Sequence, residues 1–183
     1  RVALHTGTHS ALLYSASDVE ILTPTTIARH PFLTRVGPDI LDESLTPDAV
    51  AERLMDDRFR NRRLGGLYLD QSYLAGIGNY LRSEILFVAG EHPASKPSEL
   101  DRRALKKLAR DTLAISRRSY RTRGVTVTPT LASSLKRKGQ TYQQYRFWVF
   151  GREDRPCHRC ASTIVRMDVS SRGLFYCPSC QPR

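Results

Sequence analysis

Asp70-Gln71-Ser72-Tyr73-Leu74-Ala75-Gly76-Ile77-Gly78-Asn79-Tyr80-Leu81-Arg82-Ser83-Glu84-Ile85-Leu86 lies inside a segment, residues 65–90, that is apolar at helical spacing and is interrupted once, at Gly76-Ile77-Gly78-Asn79. The pattern predicts a helix, a tight glycine turn, and a second helix from about Asn79 to Ala89. Glycine permits positive φ and lets backbone approach a ligand closely. The free N–H groups of a helix start favour a phosphate. Asn79 can cap that helix or donate its amide to a phosphate oxygen. A plain packing corner between two helices fits the same residues. A dinucleotide fingerprint does not, because no strand–turn–helix unit with a trailing acidic residue surrounds the glycines.

Working outward, Thr46-Pro47 is a helix start, threonine capping and proline at the first helical position, with Ala49 to Met55 following. Ser98-Glu99-Leu100-Asp101 reads as a capping box before a helix that carries Leu105, Leu108, Thr112 and Ile115 on one face. Upstream, Val2 and Leu4, then Leu12 and Tyr14, fit two alternating strands joined by Thr6-Gly7-Thr8-His9-Ser10. Two strands alone are marginal, so they are expected to belong to a larger sheet, and the chain to be the C-terminal part of something longer. Asp18 to Pro47 reads as irregular, punctuated by Pro24, Pro31, Pro38 and Gly37. Pro129 to Gln144 reads as a polar, mobile segment, and Phe147 to Phe150 as a strand. No internal repeat is present. The fold class is α+β.

All four cysteines stand in two pairs, Cys157-His158-Arg159-Cys160 and Cys177-Pro178-Ser179-Cys180, with 16 residues between them. Two residues between paired cysteines allow a knuckle that aims both sulfurs at one ion, and four thiolates close a tetrahedral zinc shell. A secreted disulfide pair and a redox or iron role are the alternatives; the doubled Cys-x-x-Cys favours one structural Zn2+ in a reducing compartment. The intervening residues suit one hairpin, Thr163 to Val169 outward and Leu174 to Tyr176 back, with Ser170-Ser171-Arg172-Gly173 near the tip.

The 183 residues allow one or two small domains, and 40% hydrophobic residues suffice for a core. No apolar run approaches the roughly 20 residues of a membrane span. Nothing resembles a signal peptide. The net charge of +11 implies a polyanionic partner, nucleic acid first. An anionic membrane surface is the second candidate, weakened because no stretch pairs a basic face with a bulky apolar one. A basic surface without a specific partner is the third. The cations cluster at Arg58 to Arg63, Arg102 to Arg110, Arg117 to Arg123 and Lys136 to Lys138, which suggests a shared binding surface.

Together, the stretch from Asp70 to Leu86 and the finger from Cys157 to Cys180, with Ser171-Arg172 and Phe175-Tyr176-Cys177-Pro178, resemble a known family. It is the bacterial DNA glycosylase/AP lyases that carry a helix-two-turns-helix motif and a C-terminal zinc finger, formamidopyrimidine-DNA glycosylase and endonuclease VIII among them. Leu13-Tyr14-Ser15-Ala16-Ser17-Asp18, His30-Pro31-Phe32-Leu33-Thr34-Arg35-Val36-Gly37-Pro38-Asp39 and Tyr120-Arg121-Thr122-Arg123-Gly124 look closer to the endonuclease VIII branch. The resemblance implies a remnant of an N-terminal β-sandwich at 1–22, a helical DNA-binding domain at 23–145 with its motif at about 62–90, and a zinc finger at 146–183. It implies DNA-backbone contacts from Arg35 and Asn79. Arg172 is implied to hold the phosphate beside the lesion and to serve the δ-elimination step. The implied zinc ligands are Cys157, Cys160, Cys177 and Cys180. Arg82 reads as an ordinary helix-face arginine.

The departures are as informative. The family uses an N-terminal Pro-Glu, the proline amine attacking sugar C1′ and the glutamate working as acid or base, together with a lysine further along. Arg1-Val2 matches neither, and the residues that fill the gap left by the extruded base are also expected upstream. Gly173 stands where some members have proline, suggesting a more flexible fingertip, and Trp148 where a basic residue is expected. The resulting expectation is a base-excision repair enzyme for oxidised pyrimidines in damaged double-stranded DNA, acting by β,δ-elimination. It is expected to be monomeric, cytoplasmic and nucleoid-associated, without membrane contact. This chain would supply the DNA grip and be inactive alone in base excision. The alternatives are the oxidised-purine branch, a non-catalytic zinc-containing DNA-binding module, and an RNA-binding zinc ribbon.

Overall fold

The computed structural model of the chain describes residues 2–14 and 19–183; Ser15-Ala16-Ser17-Asp18 and the Arg1 amine lie outside the described residues. Two compact units result, Arg1–Arg35 and Val36–Arg183.

In the first unit, β1 (Val2–His5) pairs antiparallel with β2 (Ser10–Leu13), Val2 opposite Leu13 and His5 opposite Ser10. The Thr6 hydroxyl accepts from His9 N–H at 3.0 Å and closes the turn. Leu4, Leu13 and Tyr14 are exposed, 68%, 52% and 60%, so this hairpin does not bury its own apolar residues. Residues 18–47 are expected to be irregular. One helical turn occurs there, α1 (Pro24–Ile27), capped by Thr23, whose N–H donates to the Thr26 hydroxyl at 2.8 Å. A single turn is too short to show periodicity.

The second unit is built around a buried helix. α2 (Pro47–Leu54) starts on Thr46, whose hydroxyl accepts from Ala49 N–H, as expected. α3 (Leu64–Leu67) is one turn only, so the helix expected before the glycine turn is mostly irregular backbone. α4 (Asn79–Ala89) follows, with Leu81 to Phe87 and Ala89 all buried. α5 (Arg102–Arg121) is about 30 Å long at 1.5 Å per residue and buries Leu105, Leu108, Thr112 and Ile115 as the spacing predicts. Its cap is Asp101, which accepts from Ala104 N–H at 2.7 Å, not Ser98; the residues before it form a 3-10 turn, Pro97–Glu99.

Two further expectations change. The segment expected to be mobile contains α6 (Pro129–Arg137), capped by Thr128 with Ala132 and Leu135 buried, and α7 (Tyr142–Tyr145). Thr128-Pro129 repeats the start of α2, but the polar composition hid it. Phe147 to Phe150 is not a strand; its backbone N–H groups turn inward to a buried carboxylate described below.

The finger hairpin is β3 (Val165–Val169) paired with β4 (Arg172–Tyr176). Ser170 and Ser171, both at positive φ, form a two-residue turn, so Arg172 opens the returning strand, paired with Val169. β4 packs on α4, and α4 and α2 pack on α5. Leu174 joins the cluster of Leu81, Ile85 and Leu108, while Ile164 joins Phe87 and Trp148 in a second one. Two apolar clusters therefore meet on α4, and each buried Leu, Ile or Phe contributes about 1.5–3 kcal/mol.

Candidate nucleic-acid interface and metal centre

The four cysteine sulfurs lie within 4.8 Å of one another. Cys157 and Cys180 Sγ are 3.9 Å apart, Cys160 and Cys177 3.4 Å, Cys160 and Cys180 3.5 Å. Sulfurs about 2.3 Å from one tetrahedral zinc would be about 3.8 Å apart, so the donor set and spacing fit the ion, and no disulfide competes. The cysteines form one structural zinc site. Gln181, fully buried, braces it: its Oε1 accepts from Cys177 N–H at 3.0 Å and its Nε2 donates to Glu91 O at 2.8 Å, just past the end of α4.

At the other end of α4, Gly76 has φ +92° and a Cβ there would meet Ile40 at 3.2 Å, so the turn requires glycine. Gln71 accepts from Gly76 N–H at 2.9 Å, and its Nε2 donates to Ile77 O at 3.1 Å. Helix α4 begins at Gly78 with no side-chain cap. The other helices of eight or more residues, α2, α5 and α6, are capped by Thr46, Asp101 and Thr128. The first N–H groups of α4 are thereby left for another acceptor.

Asn79 does not cap. It is the first helical residue, its Nδ2 donating to Gly173 O at 3.0 Å and its Oδ1 accepting from Arg82 at 2.5 Å. The second Nδ2 hydrogen remains available. Arg82 is not the surface side chain expected: it is 0% exposed. Its guanidinium donates to Gly65 O at 2.8 Å and to Val169 O and Arg172 O at 3.4 Å, with no carboxylate partner among the described residues. Burial, then the nearby Arg172 charge, lowers its pKa to about 10, which still leaves it a cation at neutral pH. Three positions after Asn79, it shares that residue's face of the helix, so the pair binds both strands of the hairpin to the glycine turn. Arg172 itself is exposed, and its guanidinium makes no hydrogen bond or ion pair among the described residues. Gly173 gives room to a neighbouring side chain: a Cβ there would meet Arg166 Nε at 2.6 Å.

Glu84 carries a role that its place in the sequence does not announce. It is fully buried and accepts from Trp148 N–H at 2.8 Å, from Val149 and Phe150 N–H at 2.9 Å, and from the Thr126 hydroxyl. Burial pushes its pKa up while those donors oppose the shift. A charge inside the apolar run Tyr80 to Val88 was the available clue, since lone acids are seldom buried without partners. Trp148 is core, 5.5 Å from Phe87, with Arg159 stacked over both rings.

Two of the four basic clusters are partly engaged within the fold. Arg58, Arg60 and Arg62 pair with Asp56, Asp57 and Asp70. Arg117 caps Asp42 O and Leu45 O, and Arg118 caps Thr126 O. Arg35 belongs to the first unit, exposed, its Nε donating to Pro31 O at 2.9 Å.

Residues 36–130, the stretch containing the glycine turn and α4, match the formamidopyrimidine-DNA glycosylase H2TH domain. The chain belongs to the formamidopyrimidine-DNA glycosylase family. The family's zinc finger, found in FPG and IleRS, matches residues 155–183. Among curated proteins, Endonuclease 8 of Escherichia coli strain K12 / DH10B is 49% identical over 181 residues, covering 99% of this chain and 65% of its own length. Endonuclease 8 of Shigella sonnei matches to the same extent. The chain thus spans just under two thirds of these relatives. Two solved structures share the fold: Lactococcus lactis Fpg with an abasic site containing DNA (TM-score 0.68, 20% identity) and MutM with carbocyclic 8-oxo-G containing DNA (TM-score 0.70, 21% identity). Each match covers 88% of this chain and 57% of the other. No helix among the described residues is long and apolar enough to cross a membrane.

Proposed function

We propose that this chain is the DNA-gripping part of a base-excision repair glycosylase and AP lyase that removes oxidised pyrimidines from duplex DNA and finishes by β,δ-elimination. The observation that carries the reading is the junction between Asn79 and Gly173, 3.0 Å. It sets the uncapped start of α4, the spare amide hydrogen of Asn79 and the strand that bears Arg172 side by side. Backbone N–H groups, an amide and a guanidinium are donors without acceptors, the chemistry that recognises phosphate oxygens. Such contacts position a duplex without reading sequence, leaving specificity to the extruded base. Arg35 adds a further backbone contact from the first unit. Zinc, when bound, supplies a structural tie for the finger.

The chemistry needs an amine at sugar C1′ and a carboxylate acting as acid or base. The family supplies both from an N-terminal Pro-Glu, which Arg1-Val2 does not match. Residues 1–183 alone therefore bind damaged duplex as a monomer and do not excise a base. Arg172 acts late, stabilising the oxygens that depart in the second elimination. The bacterial cytoplasm, where the nucleoid lies, is the site of action.

Borohydride trapping on abasic duplex tests this. No covalent adduct is expected from residues 1–183, and a stable adduct once a Pro-Glu N-terminal domain is joined upstream. In the joined enzyme Arg172→Ala is expected to stall after the first elimination. Robust cleavage of thymine-glycol DNA by residues 1–183 alone would overturn the assignment. A non-catalytic module would bind duplex yet fail to trap in both forms.

A further inference from the structure

Helix α5 lies along α4 in the opposite sense. Tyr80 OH meets Ser119 Oγ at 3.0 Å near one end, and Lys107 Nζ donates to Val88 O at 2.9 Å and Ala89 O at 2.5 Å near the other. The first half of α5 is therefore beside the zinc-braced end of α4, about 15 Å along that helix from Asn79. Its exposed side carries Arg102, Arg103, Lys106 and Arg110, which with Pro47 and Asp48 of α2 line a groove of about 770 Å³. A second hollow of about 460 Å³ shares Arg102, Lys106 and Asp48 and adds Glu52 and the apolar side chains Ala51, Met55 and Leu105.

The cations are placed against the helix's own interest. Apart from the Asp101 cap, no acidic residue stands at the start of α5, whose first turn holds Arg102 and Arg103. Positive charge there opposes the helix macrodipole. Arg102 with Lys106, and Lys106 with Arg110, are like-charged i,i+4 pairs, which repel. Internal pairing offsets little of this: Lys106 reaches Asp48 only at 3.8 Å, Arg110 shares Asp111 with Lys107, and Arg102 and Arg103 have no ion pair among the described residues. The stripe is left with positive charge that an external anion can meet.

We propose that this groove docks an acidic segment of a partner protein that ends in a bulky apolar side chain. Successive basic rungs three or four positions apart on α5 are about 5–6 Å apart. Alternate side chains of an extended peptide are spaced about 6.6 Å, so alternate carboxylates meet successive rungs. The hollow at Ala51, Met55 and Leu105 takes the apolar residue. Met55, 41% exposed, offers the adaptable contact. A DNA backbone has no use for that apolar floor, and packed helices about 8–10 Å apart leave a groove suited to one extended chain. The site goes beyond the DNA reading and stands independently of it.

Fluorescence anisotropy with labelled Asp-Asp-Glu-Asp-Leu-Phe peptide tests it. Saturable binding is expected that weakens about tenfold in the double variant R103E/K106E and several-fold in Met55→Asp, charge complementarity setting much of the affinity. Replacing Leu-Phe by Ser-Ser is expected to abolish it. Arg172→Ala and saturating duplex are expected to leave it unchanged. Thermal midpoint and zinc content verify folding; should R103E/K106E fail that check, R103Q/K106Q is expected to weaken binding about threefold. No saturable binding, equal affinity for the Ser-Ser peptide, or displacement by duplex overturns the proposal. So does a loss of duplex affinity in R103E/K106E with peptide affinity unchanged, which would assign the stripe to DNA.

Discussion

The two ends of α4 face the same finger and are finished in opposite ways. At Ala89 the helix is closed: Gly90 takes a left-handed conformation, Lys107 caps two carbonyls, and Gln181 ties Glu91 to Cys177 of the zinc knuckle. At Asn79 it is open: no side chain caps the N–H groups, and the Arg172 guanidinium makes no hydrogen bond or ion pair among the described residues. Yet the open end is not loose, because Asn79 and the buried Arg82 bolt it to β3 and β4 from beneath. Donors are presented outward on a support tied inward. An open end without that support would lose its geometry, and a fully capped end would have nothing left for a ligand.

Removing the metal should break both ends. Cys177→Ser is expected to lose zinc, measured by metal content, and with it the finger fold, since structural zinc contributes about 10–16 kcal/mol in finger peptides. Duplex affinity should vanish too, because Gly173 and Arg172 are carried by the finger. A metal-free protein that binds duplex normally would show that the open end needs no support.

Breaking the middle should be the next largest effect. Glu84→Ala strands three backbone N–H groups, while the Thr126 hydroxyl keeps Arg146 O as an acceptor at 3.1 Å. Each buried donor left unpaired costs about 1–3 kcal/mol, and about 2–4 °C per kcal/mol for a chain of this size gives a thermal midpoint lower by about 10 °C.

Trimming the open end should separate binding from stability. Asn79→Ala and Arg172→Ala are each expected to weaken duplex binding about tenfold, or about 1.4 kcal/mol, equally on different flanking sequences. Arg172→Ala should reduce the slope of log K against log salt by about 1 from an overall value near −4 to −5. A strong dependence on flanking sequence would count against phosphate as the ligand.

The smallest effect belongs to the closed end. Burial, then Arg183, holds the pKa of His92 below its ordinary value. The native state therefore resists protonation, and the stability present above about pH 6.5 is lost as pH falls through the lowered value. Partial exposure limits this to a few tenths of a kcal/mol. His92→Asn should flatten that part of the midpoint-versus-pH profile, while duplex affinity stays unchanged.

Local chemistry made several elements legible in the sequence alone. Thr46-Pro47 marks a helix start whatever surrounds it, the spacing of Leu105, Leu108, Thr112 and Ile115 marks one face, and doubled Cys-x-x-Cys marks a zinc knuckle, because each depends on neighbours within a few positions. What the sequence could not fix was the fate of polar groups whose partners are distant. Arg82 bonds to Val169 O and Arg172 O, about ninety positions on, and Glu84 to backbone more than sixty positions on. Phe147 to Phe150 read as a strand because its apolar side chains suited one, but its N–H groups were already committed to Glu84. Asn79 read as a cap or a phosphate donor, and tertiary structure gave half its amide to Gly173 instead. Side-chain periodicity is written locally; the pairing of a buried donor with its acceptor is decided only when the chain closes on itself, since a buried polar group left unpaired would be too unfavourable to keep.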